Sequence, residues 1–283
     1  MPSASLNGRA VLNVTGEDAE DFLQNLITTD LDTLERGDLK PGALLSPQGK
    51  ILFEFLVSRQ GDGLRLDALQ TSADDLLKRL TLYKLRAKVQ IAVDSESFVE
   101  VAWESESELS ETESTVHDRR FPDALDVRRQ YGGERVTEGN ELAWTALRIA
   151  HGVAEAPNDY ALGDAFPHDT NLDQTGGVSF KKGCFVGQEV VSRMQHRGTA
   201  RRRILVATGT SDLPATDTPI TANGREIGTL GSIAGKSGLA LVRIDRVKDA
   251  MDSDTPILAG EIAIHLAIPP EHRFTFPEAT QEA

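Results

Sequence analysis

Pro219-Ile220-Thr221-Ala222-Asn223-Gly224-Arg225-Glu226-Ile227 is the stretch whose reading decides the C-terminal half of the fold. Asn-Gly accepts the two positive φ angles of a type I′ turn, whose twist matches that of the strands it joins. A hairpin is therefore predicted with strands at 219–222 and 225–233. Further short strands are read at 238–244 and 261–268, and the pattern of short strands and close turns begins at Arg201. Residues 201–283 are thus expected to form a small all-β barrel or sandwich.

Upstream, strands and helices mix. A strand is read at 9–14, then a helix opening at Thr15 or Gly16, with Glu17 and Asp18 in its first turn, where acids suit the helix dipole. Its apolar stripe is Ala19, Phe22, Leu23, Leu26 and Ile27. A turn at 46–49 leads into a strand over 50–58 that sets Ile51, Phe53, Phe55 and Val57 on one face. Ser72 and Asp75 resemble a capping box ahead of a helix carrying Leu76, Leu77 and Leu80. Strands follow at 88–93 and 97–103. A helix over 141–151 is closed by Gly152, and residues 157–177 are irregular, as functional loops often are. The run 104–115, rich in Ser and Glu, reads as a solvated loop without chemistry. The domain division expected is an α+β domain over 1–200 followed by the β domain over 201–283.

Composition limits the function. With 39% apolar and 26% charged residues, the chain reads as an ordinary globular protein. A net charge of −14 repels phosphate backbones and argues against general nucleic-acid binding. No apolar run is long enough to cross a bilayer, and residues 1–12 lack the basic-then-apolar order of a signal peptide. One cysteine, Cys184, rules out an intramolecular disulfide and fits a reducing compartment; a cytoplasmic protein is expected.

The chemistry concentrates in Lys181-Lys182-Gly183-Cys184-Phe185-Val186-Gly187-Gln188-Glu189, which runs into a helix carrying Val190, Val191 and Met194. Gly183 and Gly187 allow a tight turn and close backbone approach. Lys182 and the helix start both favour a thiolate at Cys184. A small, buried, inert thiol is the competing reading. Arg193, His196, Arg197, Arg201, Arg202 and Arg203 follow as a candidate anion site, or as charges paired with nearby acids. The six histidines are scattered and show no zinc-type spacing, although pairing of Cys184 with His168 or His196 stays open.

These residues resemble the signature of YgfZ proteins, relatives of the glycine-cleavage T-protein (aminomethyltransferase). Other stretches agree in order: Asp21-Phe22-Leu23-Gln24-Asn25-Leu26-Ile27-Thr28-Thr29-Asp30, Leu45-Ser46-Pro47-Gln48-Gly49-Lys50-Ile51-Leu52 and Lys84-Leu85-Arg86-Ala87-Lys88-Val89. Arg148-Ile149-Ala150-His151-Gly152, Phe166-Pro167-His168 and Asn171-Leu172-Asp173 also fit, so the match runs over about 6–268. The resemblance implies an α+β fold of ferredoxin-like modules with a small C-terminal β-barrel. It further implies binding of tetrahydrofolate or a one-carbon derivative, and a role in assembling or maintaining iron–sulfur clusters. The implied partners are client enzymes, including tRNA-modifying ones, or the assembly machinery. By the same resemblance Cys184 is the reactive thiol with Lys182 beside it. Asp30, Arg86, Arg148, Asn171, Gly183, Gly187, Gln188, Glu189 and Arg193 are implied to shape the loop or folate cavity. No membrane and no resident metal are implied.

One departure separates the branches of this group. Where aminomethyltransferases carry consecutive aspartates, this chain has Phe53-Glu54. Phe53 can neither hold nor move a proton, and Glu54 points to the other strand face. Aminomethyl transfer is disfavoured. It stays as an alternative, as does a non-catalytic module that docks an acidic partner through its arginines. One cysteine also falls short of the four thiolates that usually hold a cluster.

Overall fold

The computed structural model describes residues 2–104, 114–132 and 140–277; most of the Ser/Glu-rich run lies outside them. Two compact units interleave along the chain. One comprises Met1–Glu141 and Thr175–Ser192, the other Leu142–Gln174 and Arg193–Ala283. The sequence suggested a single cut after residue 200, whereas residues 142–174 cluster with the second unit.

The first unit is built on a nine-stranded sheet. Its strands are β1 (Ser3–Ser5), β2 (Arg9–Thr15), β3 (Asp38–Leu45), β4 (Ile51–Gln60), β5 (Gly63–Leu69), β6 (Gln90–Asp94), β7 (Val99–Ala102), β8 (Thr115–Asp118) and β9 (Arg128–Tyr131). Their order is β1-β7-β9-β8-β3-β4-β5-β2-β6, with β3–β8 the one parallel pair in it. The alternation read over 50–58 is present: Phe53, Phe55 and Val57 enter one core with Leu12, Leu66 and the helix residues Leu23, Leu76 and Leu80. Those helices are α1 (Ala19–Gln24) and α2 (Ala73–Lys84).

α1 starts later than expected, whereas α2 starts behind Ser72 as expected but without the capping box. Gly16 sits at φ +115°, and a Cβ there would lie 2.2 Å from the Lys88 carbonyl oxygen, so the chain is still turning and α1 begins only at Ala19. It also ends early, and Ile27 forms a bridge with Leu44 instead of a further helical turn. At α2 the Ser72 hydroxyl donates back to the Leu69 carbonyl at 3.1 Å, so no capping box forms.

A buried ionic cluster ties strands together beside Val11, Leu56 and Tyr131. Asp67, fully buried, accepts from Arg9 Nε at 2.6 Å, Arg129 at 2.5 Å and the Tyr131 hydroxyl at 2.9 Å. Burial pushes its pKa up, but the two guanidiniums and these hydrogen bonds outweigh that, and it stays below the usual carboxylate range.

The second unit opens with α3 (Glu141–Ala150), as predicted, closed by Gly152 at φ +65°. After α4 (Gln188–Arg197), which starts in the first unit, come β10 (Arg202–Gly209), β11 (Pro219–Ala222), β12 (Arg225–Ala234), β13 (Ser237–Arg243), β14 (Ile257–Ala259) and β15 (Ile262–Ala267). They form a closed barrel in the order β10-β13-β12-β11-β14-β15, sealed by β10–β15 pairing. The predicted Asn-Gly hairpin is β11–β12, with both turn residues at positive φ. The sequence reading missed α5 (Ile244–Asp252), in which only Ile244, Val247 and Ala250 are buried among charged neighbours.

Candidate functional site

The loop that carries Cys184 is fastened to the first unit by side chains that the linear motif does not contain. Thr28 is fully buried, and its hydroxyl works in two directions: it donates to the Gly177 carbonyl at 2.6 Å and accepts from the Ala43 amide at 2.9 Å. Ser179 adds a backbone bond to the Thr28 carbonyl at 3.0 Å. The Ser179 hydroxyl then accepts from the amides of Lys181 and Lys182 at 3.3 and 3.1 Å, forming the local turn.

Lys182 completes the fastening. Its ammonium donates to the carbonyls of Ile27 at 2.9 Å and Thr29 at 2.6 Å, and lies 5.7 Å from the centre of the Phe185 ring. Burial lowers its pKa to about 8, with Asp30 and Asp32 pulling the other way. The ammonium is therefore aimed at backbone oxygens of the 27–29 segment, which makes Lys182 a strap for the loop.

Gly187 and Gly183, read alike from the sequence, differ in the structure. Gly187 adopts φ +80°, and a Cβ there would sit 2.5 Å from the Ser46 carbonyl oxygen and 3.1 Å from Gly49 Cα. The second glycine of the motif thus packs backbone against the 46–49 turn, which explains why those two distant stretches read together. Gly183 has no atom within 4 Å of a Cβ position, so open space surrounds it.

Between the two glycines the chain separates grease from sulfur. Phe185 is buried, whereas Cys184 is exposed as a free thiol. The inert core-filler reading of Cys184 therefore fails. Gln188 begins α4 four residues after Cys184, and its side-chain amide reaches back to the Gly183 carbonyl at 3.4 Å. Glu189 and Arg193 lie on the exposed face of that helix.

Asp30 stands at the other side of the strap. Its Oδ1 accepts from Gln24 Nε2 at 2.8 Å and the Asp32 amide at 3.3 Å, while among the described residues Oδ2 has only a long 3.4 Å contact with the Ser179 hydroxyl. One carboxylate oxygen thus keeps acceptor capacity beside the loop. Gln24, whose Oε1 also takes the Leu31 amide at 2.8 Å, was not singled out by sequence; its place in the 21–30 stretch was the available signal.

The remaining expected residues are placed elsewhere. Arg86 is exposed beyond the end of α2. Arg148 is buried in the second unit, bonded to the Val153 carbonyl at 2.8 Å, Asp159 at 3.2 Å and Ser232 at 3.2 Å. Asn171 is also buried there, at φ +59°; it donates to the Ile204 carbonyl at 2.8 Å, and its own Oδ1 takes no partner among the described residues. Two of the candidate anion-site arginines are already paired. Arg202 meets Asp164 and Asp169, and Arg203 meets Asp173 at 2.5 Å while lying 4.6 Å over Phe274. His168 Nε2 is 3.0 Å from Gln195 Oε1. Among the described residues no three His, Cys, Asp or Glu side chains form a metal-ligating group. No described helix is long and apolar enough to cross a membrane.

Comparison with known proteins defines the class through the fold first. The chain is similar to the glycine cleavage system aminomethyltransferase T from Bartonella henselae, with a TM-score of 0.73 over 96% of this chain and 87% of that one; at 16% identity the likeness speaks for the fold alone. Residues 201–274 match the family model of the CAF17 C-terminal beta-barrel domain. More particular relatives carry the name iron-sulfur cluster assembly factor IBA57. The homolog from Pyricularia oryzae is 29% identical, covering 91% of this chain and 75% of the relative. The human protein is 28% identical, covering 86% and 78%. The Mycosarcoma maydis homolog reaches 31%, but this chain spans just over half of it, 56%. The expected T-protein fold is that of the aminomethyltransferase neighbour, and the expected tie to iron–sulfur cluster assembly appears in the names of the IBA57 relatives. All three are named mitochondrial, which overturns the cytoplasmic placement drawn from the N-terminus and lone thiol.

Proposed function

We propose that this chain is an iron–sulfur cluster assembly factor that presents Cys184 to a partner and binds a tetrahydrofolate beside Asp30. The observation that carries the reading is an exposed thiol on a loop whose flanks are fixed. Lys182 and Thr28 hold one side, and Gly187 is packed on Gly49 at the other. A thiol so held keeps a defined position while remaining reachable. One thiolate per chain is fewer than a cluster ordinarily needs, so any cluster it touches is shared with the partner's ligands and is cargo.

Folate enters through Asp30, whose under-used Oδ2 suits the N–H donors of a pterin. The clients extend to iron–sulfur enzymes that modify tRNA. Aminomethyl transfer is the weaker reading, because Phe53, at the position of a catalytic acid in the transferases, is part of the hydrophobic core.

The test is restoration of iron–sulfur enzyme activity in a strain lacking this protein. Cys184→Ala should restore little; restoration equal to wild type removes the thiol from the mechanism. Titration with tetrahydrofolate checks the second part, with Asp30→Asn expected to weaken binding at least tenfold. Unchanged affinity would remove Asp30 from the site.

A further inference from the structure

Residues 78–88 read Lys-Arg-Leu-Thr-Leu-Tyr-Lys-Leu-Arg-Ala-Lys. They contain five cations and no carboxylate, in a chain whose acids outnumber its bases by 44 to 30. The structure sets them along the outer side of α2 and just past its end. Leu76 and Leu80 point into the core, while Leu82 and Leu85 are 71% and 88% exposed. Lys78 pairs with Asp75, and Lys88 with Glu17, both at the surface. Arg79, Lys84 and Arg86 take no partner among the described residues.

Ordinary helix chemistry accounts for part of this. A cation in the last turn, such as Lys84, meets the negative end of the helix dipole. It accounts neither for Arg79 and Arg86 nor for two leucines left in water. Leu85 is the stronger sign, because it ends α2 at φ +45°, ψ −104°, a backbone state that residues with side chains seldom adopt. Its conformation is held while its side chain contacts almost nothing.

We propose that residues 78–88 are a docking surface for an acidic protein, with Leu82 and Leu85 entering an apolar recess on that partner and Arg79, Lys84 and Arg86 meeting carboxylates around it. Charge complementarity selects the occupant: this is a concentrated positive patch on a negative chain, and it steers an acidic partner to one place. Aliphatic anchors favour protein over RNA, whose bases stack on aromatic rings; Tyr83, the one aromatic in the run, is half-buried. Two leucines are also a small apolar face for holding a helix at a lipid boundary, and Asp74 and Asp75 on the same helix would oppose an anionic leaflet. The surface is independent of the role proposed for Cys184.

The experiment uses the full chain with a photo-crosslinking phenylalanine derivative at position 82, irradiated in cells. The expected result is one predominant crosslinked protein that mass spectrometry identifies as acidic. The yield should fall at least tenfold with Arg79→Glu and Arg86→Glu together and stay unchanged with Cys184→Ala, which separates this surface from the thiol. Leu82→Ser with Leu85→Ser, both exposed, should leave the unfolding midpoint in place while weakening affinity for the identified protein at least tenfold. Crosslinks to RNA or lipid, a yield indifferent to charge reversal, or binding to phosphatidylglycerol vesicles through the same residues would each overturn the proposal.

Discussion

Thr28→Val replaces a hydroxyl by a methyl of nearly the same shape at a fully buried position, so the change tests hydrogen bonding almost alone. Two bonds disappear: the donation to the Gly177 carbonyl at 2.6 Å and the acceptance from the Ala43 amide at 2.9 Å. Gly177 and Ala43 are both buried. Each of the two orphaned groups costs about 1–3 kcal/mol, and a buried methyl returns about 0.8 kcal/mol, so the net loss is about 1–5 kcal/mol. Urea unfolding followed by tryptophan fluorescence measures it. Thr28→Ser keeps the hydroxyl and should lose only about 1 kcal/mol. Because the bond to Gly177 fastens the loop, the valine variant should also exchange the Ser179 amide faster and react faster at Cys184 with a disulfide reagent. A loss below about 0.5 kcal/mol, or unchanged thiol reactivity at full loss, would refute the assignment of Thr28 as the anchor.

The other expectations follow from the same geometry. Gly187→Ala should cost about 2–4 kcal/mol, from the left-handed backbone and the 2.5 Å approach to Ser46, while Gly183→Ala should stay within about 0.5 kcal/mol; paired urea curves decide. Lys182 has a folded pKa of about 8 against an ordinary value of 10.5, so between those values the unfolded chain holds the extra proton and stability rises with pH. The rise, about 1–2 kcal/mol after the screening felt by a half-buried amine, should vanish in Lys182→Met when thermal unfolding is followed from pH 7.5 to 11. Asp67→Asn leaves Arg9 and Arg129 without their buried carboxylate and should cost about 3–5 kcal/mol by urea unfolding. Its lowered pKa gives stability above the ordinary aspartate range that is lost as pH falls through the folded value.

What the sequence made legible was local. The Asn223-Gly224 turn, the alternation of Phe53, Phe55 and Val57, and the start of α3 each rest on a few neighbouring residues, and each is present in the structure. The helix expected from Thr15 or Gly16 instead starts at Ala19, because a contact across 72 residues, Gly16 against Lys88, fixes the turn. The site divided the same way. Cys184 and its glycines stood out in the linear motif, whereas Thr28 acts through a partner far along the chain, the Gly177 carbonyl. For the arginines following the motif the sequence left an anion site and pairing with acids both open; Asp164, Asp169 and Asp173 beside Arg202 and Arg203 decide for pairing at those two. Pairing across such separations leaves no spacing to read.

The interleaving of the two units has a consequence for synthesis. Residues 175–192 belong with the N-terminal sheet, yet they emerge from the ribosome after 33 residues that cluster with the barrel. Until they emerge, the Thr28 hydroxyl has no Gly177 carbonyl to reach, and the nascent sheet waits without its last strap. The thiol-bearing loop can therefore be seated only after most of the chain has been translated, so an early stop codon removes the exposed sulfur together with the fastening that would have held it.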